Sequence, residues 1–265
     1  MRLAIHHVTA SRFDMPVRGV IQSQRLVPQD GPAQRVLEWA VTVSPEATFG
    51  PPVADGAGDV HRTVTVSGPL DALEVLAAGT VETEDRAGIL GMVREAVPPG
   101  AWLSPTALTR PDSALREIGE AAGTSLEAAH RLMGAVAGAV AFEAGVTDPA
   151  TTASEALAAG RGVCQDLTHV MIAAARAGGA PARYVVGYLE AGTGAGVSHA
   201  WAEIWIDGLG WVGFDPTNGV SPDGRYVRLC CGRDALGAAP IRGAVRGLGT
   251  ETQAAHVQVS QVQQQ

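Results

Sequence analysis

Three side chains in the second half of the chain could together cleave an amide or ester: Cys164, His199 and Asp215. A thiol is a weak nucleophile until it is deprotonated, so a working cysteine needs a helix N-terminus, a neighbouring imidazolium, or both. The residues around Cys164 offer the first. Gly160 and Gly162 interrupt the preceding segment, and Leu167, Val170, Met171 and Ala174 then recur at helical spacing as far as Gly178-Gly179. Cys164 therefore falls in the first turn of a predicted helix, where unpaired N–H groups and the macrodipole favour negative charge. His199 would supply the second, as general base and imidazolium partner, with Asp215 holding the ring and fixing its tautomer.

The strands that must carry His199 and Asp215 are constrained by this chemistry. Ala182 to Leu189, Ser198 to Ile206 and Trp211 to Phe214 are rich in Val, Ile, Tyr and Trp and are predicted strands, the last stopped by Pro216. On the second, His199, Trp201, Glu203 and Trp205 share one face. A two-residue turn at Gly208-Leu209 would set Asp215 opposite Ala202, on the wrong face. A three-residue loop at Asp207-Gly208-Leu209 instead pairs Ile206 with Gly210 and sets Asp215 across from Trp201, diagonal to His199. Gly208 and Gly210 can take the positive φ that such a bulged loop requires.

Several neighbours invite a role. Gln165, Trp201 and Glu203 are candidates to line the substrate cleft. Asp166 suits the first turn of a helix for the dipole alone. His169 lies five residues beyond Cys164 on the helix, rotated away from the thiol, and is expected to pack or cap. Arg183 is expected to pair with a buried carboxylate. The run G-T-G-A-G at 192–196 lacks the strand-loop-helix context of a phosphate loop and is expected to be a rim loop near His199.

Four runs carry a resemblance: G-V-C-Q-D from Gly162, P-A-R-Y-V-V-G-Y from Pro181, S-H-A-W-A-E-I-W from Ser198 and G-W-V-G-F-D-P-T-N from Gly210. As a set they resemble the catalytic core of the transglutaminase-like superfamily, specifically its bacterial transglutaminase-like cysteine protease branch. In that family the cysteine of G-V-C, the histidine of H-A-W and the aspartate of F-D-P-T form a triad, which implies catalytic roles for Cys164, His199 and Asp215. L-A-I-H-H-V-T from Leu3 resembles the family's N-terminal β-domain, and C-G-R-D with P-I-R-G near the end resembles its C-terminal extension.

The implied fold is α+β. An N-terminal antiparallel, sandwich-like β-domain would precede a papain/transglutaminase-like core, with the cysteine on a helix N-terminus and the histidine and aspartate on adjacent antiparallel strands. The implied reaction is thiol-dependent acyl chemistry. Hydrolysis of a peptide or isopeptide amide is favoured, because the chain is far shorter than the calcium-dependent animal enzymes and has no D-x-D-x-D-G loop. Amine acyl transfer is the enzymatic alternative. A binding module that kept only the fold would be expected to have a damaged triad.

Composition reads as a folded globular chain with many turns. The chain has 265 residues, 46% of them hydrophobic, with 33 glycines and 16 prolines, enough to bury a core in one large or two modest domains. The alternating segments of residues 1–85 are expected to form the β-domain, 86–110 a proline-rich connector, 111–240 the core and 241–265 a C-terminal extension. Helices are expected from Pro111 to Ala122, from the Ser125 cap to about Ala144 and from Ser154 to Ala159, and further strands from Tyr226 to Cys231 and from His256 to Val262. A net charge of −8 argues against nucleic acid and anionic membranes as partners, and the resemblance implies a peptide or protein amide substrate. All nineteen basic residues are arginine, so no lysine of this chain could accept an acyl group.

Three cysteines make no disulfide framework, and Cys230 and Cys231 are expected to be buried strand residues. His6, His7 and His61 lack metal-ligand spacing, and neither metal nor cofactor is implied. With no apolar stretch of signal-peptide or membrane-span length, a cytoplasmic location is the expectation.

Overall fold

Alternation of apolar and polar residues shapes the N-terminal part of the chain. In the computed structural model, which describes residues 1–93, 95–192 and 196–262, β1 (Arg2–Val27), β2 (Gln34–Ser44) and β3 (Val60–Thr83) pair antiparallel in the order β1-β3-β2. β1 runs for 26 residues because its register against β3 shifts between Arg12 and Val17 and again between Val17 and Gly19. Pro16 has no N–H to give a ladder and falls in the first shift.

The connector is more than a bridge. Its strand β4 (Ile89–Gly91) joins the edge of the second sheet, and a 3₁₀ turn at Pro99–Leu103 buries Trp102 against Trp211. Four helices follow: α1 (Ser113–Gly119), α2 (Leu126–Ala139), α3 (Ala153–Ala159) and α4 (Cys164–Ala177). Asp112, Ser125 and Thr152 cap the first three, each accepting from the backbone N–H of the third helical residue.

The second sheet then forms from β5 (Ala182–Leu189), β6 (Val197–Ile206), β7 (Gly210–Phe214) and β8 (Tyr226–Gly232), in the order β8-β5-β6-β7-β4. The α4 residues Leu167, Val170, Met171 and Ala174 are buried with Ala200, Ala202, Ile204 and Phe214 in one core. Trp201 and Trp211 belong to a separate cluster with Trp102 and Val185.

The segment read from the sequence as a C-terminal extension returns to the start of the chain. β9 (Ile241–Arg246) and β10 (Glu251–Gln261) both pair antiparallel with β1, completing a seven-stranded sheet with two short strands on β3. Their outward residues are mostly polar, so the pattern of β10 alone shows little of the strand; Val259 is its one buried anchor. Residues 193–195 of the predicted rim loop lie outside the described residues. Among the described residues, no helix is long and apolar enough to cross a membrane.

The two sheets meet across Leu3, Ile5, Leu26, Val81 and Val259 on one side and Tyr188, Val227, Leu229 and Cys230 on the other. Polar groups are buried beside that contact. His7 hydrogen-bonds the Tyr188 hydroxyl through Nδ1 at 3.0 Å and Thr9 Oγ1 through Nε2 at 3.2 Å. Burial lowers its pKa from 6.5 to about 4. Between those values the unfolded chain binds more protons than the folded one, so stability falls as the pH drops from about 6.5 toward 4, by about 3 kcal/mol for this group. Buried His169, also lowered to about 4 by desolvation, acts in the same direction. Urea titrations of His7→Gln should show a shallower acid slope than the native chain. An unchanged slope would assign the loss to other groups.

Candidate active site

The chain enters α4 through a short parallel ladder in which Ala141 pairs with Arg161 and Phe142 with Gly162. Asp166 then closes the first turn: its Oδ2 accepts from the Val163 N–H at 2.8 Å and from the Thr147 hydroxyl at 2.6 Å. Gly162 is needed for this, because a Cβ there would lie 2.7 Å from both Cβ and Oδ2 of Asp166. Cys164, half-buried, is the first residue of the helix. The first N–H groups of a helix have no intrahelical acceptor. Those of Cys164 and Gln165 find no partner elsewhere among the described residues.

On the opposite side of the site, β6 and β7 pair in the register that Asp215 needs to reach His199. Ile206 faces Gly210, Trp205 faces Trp211 and Ala202 faces Phe214, so the next step along the ladder brings Asp215 toward Trp201. Gly208 and Gly210 take φ of 79° and 82° in the connecting loop. His199 Nε2 and Asp215 Oδ2 are 2.7 Å apart, and the carboxylate is fully buried.

Asp215 accepts four further hydrogen bonds: at Oδ1 from the backbone N–H groups of Thr217 (2.9 Å) and Asn218 (3.3 Å), and at Oδ2 from Asn218 Nδ2 (2.7 Å) and the Tyr226 hydroxyl (2.8 Å). Burial alone would raise its pKa, but hydrogen bonds from His199, Asn218 and Tyr226 and the imidazole charge hold it below the ordinary value. Asp215 is therefore anionic and saturated.

That arrangement decides the state of the imidazole. Burial would lower the pKa of His199, but its hydrogen bond to Asp215 and the influence of Cys164 and the Asp215 charge override it and raise the value to about 9. With Nε2 committed to Asp215, Nδ1 is the ring nitrogen left to face the thiol. The ring lies roughly parallel to Trp201, with centroids 6.5 Å apart and an interplanar angle of 26°, and Tyr226 meets both rings edge-on. Asn218 and Tyr226 are functional neighbours that the motif reading missed. Asn218 was within reach of sequence reasoning, since Asp-Pro-Thr-Asn has the spacing of a side chain that closes its own turn. Tyr226 stands on β8, beyond β5 in the sheet, and no local spacing points to it.

Gln165 is half-buried at the helix entrance, where its Nε2 donates to the Pro149 carbonyl at 3.4 Å. Trp201 is buried beneath the imidazole, a support for it rather than an open wall. Glu203 is a correction to the expected cleft residues. It is fully buried, and its two oxygens are taken by Arg183 Nε at 2.5 Å and Arg228 Nε at 2.9 Å. Arg183 also binds Glu95 at 2.6 Å and lies 4.0 Å from the Trp211 ring centroid, while Arg228 binds Asp59 at 2.9 Å. The strand pattern put Glu203 on the His199 face correctly, but that face is covered there by the connector and β8. His169 packs on Tyr184 and accepts from the Ala235 N–H. Cys230 and Cys231 are buried, and desolvation pushes both thiols up, Cys231 to about 12.

Residues 112–216 match the core of the Transglutaminase-like superfamily, and residues 3–82 match the Bacterial transglutaminase-like N-terminal region. The chain belongs to the transglutaminase-like superfamily. Its transglutaminase-like core runs from the start of α1 to just beyond β7 and holds Cys164, His199 and Asp215, while the bacterial N-terminal region corresponds to β1 to β3.

Relatives extend over nearly the whole chain. An uncharacterised protein of Mycobacterium leprae (strain TN) is 28% identical over 273 residues, covering 94% of each chain. One from Mycobacterium tuberculosis (strain ATCC 25618 / H37Rv) is 26% identical over 274 residues, 92% of this chain and 87% of its own. Among solved structures, a Cytophaga hutchinsonii protein named provisionally as a cysteine protease superposes with a TM-score of 0.78 at 22% identity, over 100% of this transglutaminase-like chain and 92% of its own. At that identity the likeness is one of fold.

Proposed function

We propose that this protein hydrolyses a peptide or isopeptide amide through a Cys164-His199-Asp215 triad and an acyl-enzyme intermediate. The observation that carries this reading is the imidazole of His199, held through Nε2 by a saturated, buried carboxylate and raised in pKa by it together with the Cys164 thiol that begins α4. The raised pKa of His199 and the helix N-terminus both favour a thiolate beside an imidazolium.

The steps follow from these positions. The Cys164 thiolate attacks the amide carbonyl, and the carbonyl oxygen gathers negative charge. The N–H groups of Cys164 and Gln165 are the donors suited to hold that charge. As the C–N bond breaks, the His199 imidazolium gives its proton to the leaving nitrogen, and the amine departs. Water then attacks the thioester, imidazole takes the water proton, and the acid leaves as the thiolate and imidazolium return. Asp215 keeps the ring in the tautomer that serves both proton transfers.

The reading is tested by single-turnover reaction with a p-nitrophenyl ester, followed by intact-mass detection of acyl-Cys164 and by product analysis with and without added glycine ethyl ester. Acylation confined to Cys164, with the acid as main product, is the expected result. Because protonated His199 is the acid for amine departure, hydrolysis of amides should decline as the pH rises through about 9. Absence of acyl-Cys164 would refute the reading, and an amide as main product would replace hydrolysis with amine transfer.

A further inference from the structure

The surface around the site narrows the substrate class. Among the described residues between 111 and 240, the large apolar side chains that remain exposed are Phe142, Val146, Val197, Val220 and Leu236. All but Leu236 stand on segments next to those that carry Cys164, His199 and Asp215. Phe142, 58% exposed, pairs with Gly162 in the ladder that leads into Cys164. Val146 precedes Thr147, whose hydroxyl bonds Asp166 in the first turn of α4. Val197 stands two residues before His199 on β6, on the same face. Val220 and Asp215 exchange backbone hydrogen bonds, with each N–H donating to the other carbonyl.

Single exposed apolar residues need no explanation, but four of these five standing beside the segments that must hold a substrate do. Charged side chains in the same segments are already engaged. Glu143 pairs with Arg161 at 3.5 Å, Asp148 accepts from the Ala150 N–H at 2.7 Å, Glu190 accepts from the Gly192 N–H at 2.8 Å and Asp223 pairs with Arg225 at 2.8 Å.

Resting on the thiol hydrolase reading above, we propose that the substrate is a peptide with apolar side chains on both sides of the scissile amide. The acyl-side residue packs against Phe142 and Val146, and the amine-side residue against Val197 and Val220. The chemistry assigns the sides. The acyl group stays on Cys164, whose helix is tied to the Phe142 and Val146 segments, whereas the amine leaves past the imidazole that protonates it, beside Val197.

The test uses acetyl-Ala-X vinyl sulfones with X as Leu, Phe, Glu or Arg, which read the acyl side without turnover. The Cys164 thiolate adds to the alkene and the imidazolium protonates the adjacent carbon, so no group leaves. Inactivation rates by intact mass are divided by the iodoacetamide rate of the same protein, a reagent with no side chain to bind. The leucine and phenylalanine probes should react about tenfold faster than the glutamate and arginine probes. Phe142→Ser should bring that ratio within about threefold, while Leu236→Ser, an equally exposed apolar loss away from the trio, should leave it unchanged. Equal rates, a preference for charge, or a ratio indifferent to Phe142→Ser would overturn the specificity while leaving a reactive Cys164 in place. A Cys164 no faster than Cys230 and Cys231 with either reagent would instead remove the functional reading, and this proposal with it.

Discussion

Asp215→Asn is expected to fold and to slow acylation of Cys164 by about 10³- to 10⁴-fold. The carboxylate is surrounded by donors: His199 and Tyr226 on Oδ2, two backbone N–H groups on Oδ1, and the Asn218 amide. An asparagine presents its own NH₂ to part of that ring of donors. Whichever way it turns, either His199 loses its acceptor and can rotate, or the Thr217-Asn218 turn loses its own. In the first case the imidazole no longer holds its proton on Nε2, and Nδ1 no longer faces the thiol as a base. Single-turnover acylation rates of the two proteins decide the matter, and a loss below about tenfold would show that Asp215 serves only the fold.

Glu203→Ala is expected to have the largest effect on stability, a loss of about 3–5 kcal/mol. The substitution leaves Arg183 and Arg228 facing each other across a buried site from which their shared carboxylate has gone. Glu95 and Asp59 each hold only one of the two guanidinium groups. The change should lower the thermal midpoint by roughly 10 °C for a domain of this size. A fall under about 1 kcal/mol in urea unfolding would mean that the Arg183-Glu203-Arg228 network is hydrated or redundant.

The same network shows what the sequence could and could not reveal. Two-residue periodicity placed Glu203 with His199 and Trp201, but periodicity names a face without naming what covers it. The partners of Arg183 come from the connector and from its neighbouring strand, at separations no local pattern spans. The β6-β7 register was legible because only one loop length lets Asp215 reach His199, so chemistry supplied a constraint that strand propensity lacks. The Cys164 helix was legible from its glycine stop and apolar spacing. β1 was harder to read as one strand, since Pro16 and Gly19 break the alternation that its bulges then absorb. β9 and β10 were harder still: they are strands because β1 offers them an edge, a tertiary cause absent from their own residues.

The most direct test of a thiolate held by an imidazolium needs no substrate. Iodoacetamide alkylation of each cysteine can be followed by mass spectrometry from about pH 4 to about 9, across the ordinary thiol pKa near 8.5. Cys230 and Cys231, buried with their thiols pushed up, serve as internal references. The account predicts that Cys164 is alkylated faster than a free cysteine at neutral pH and that His199→Ala removes most of this advantage. A native Cys164 no faster than a free cysteine, or one whose rate is unchanged in His199→Ala, would contradict it.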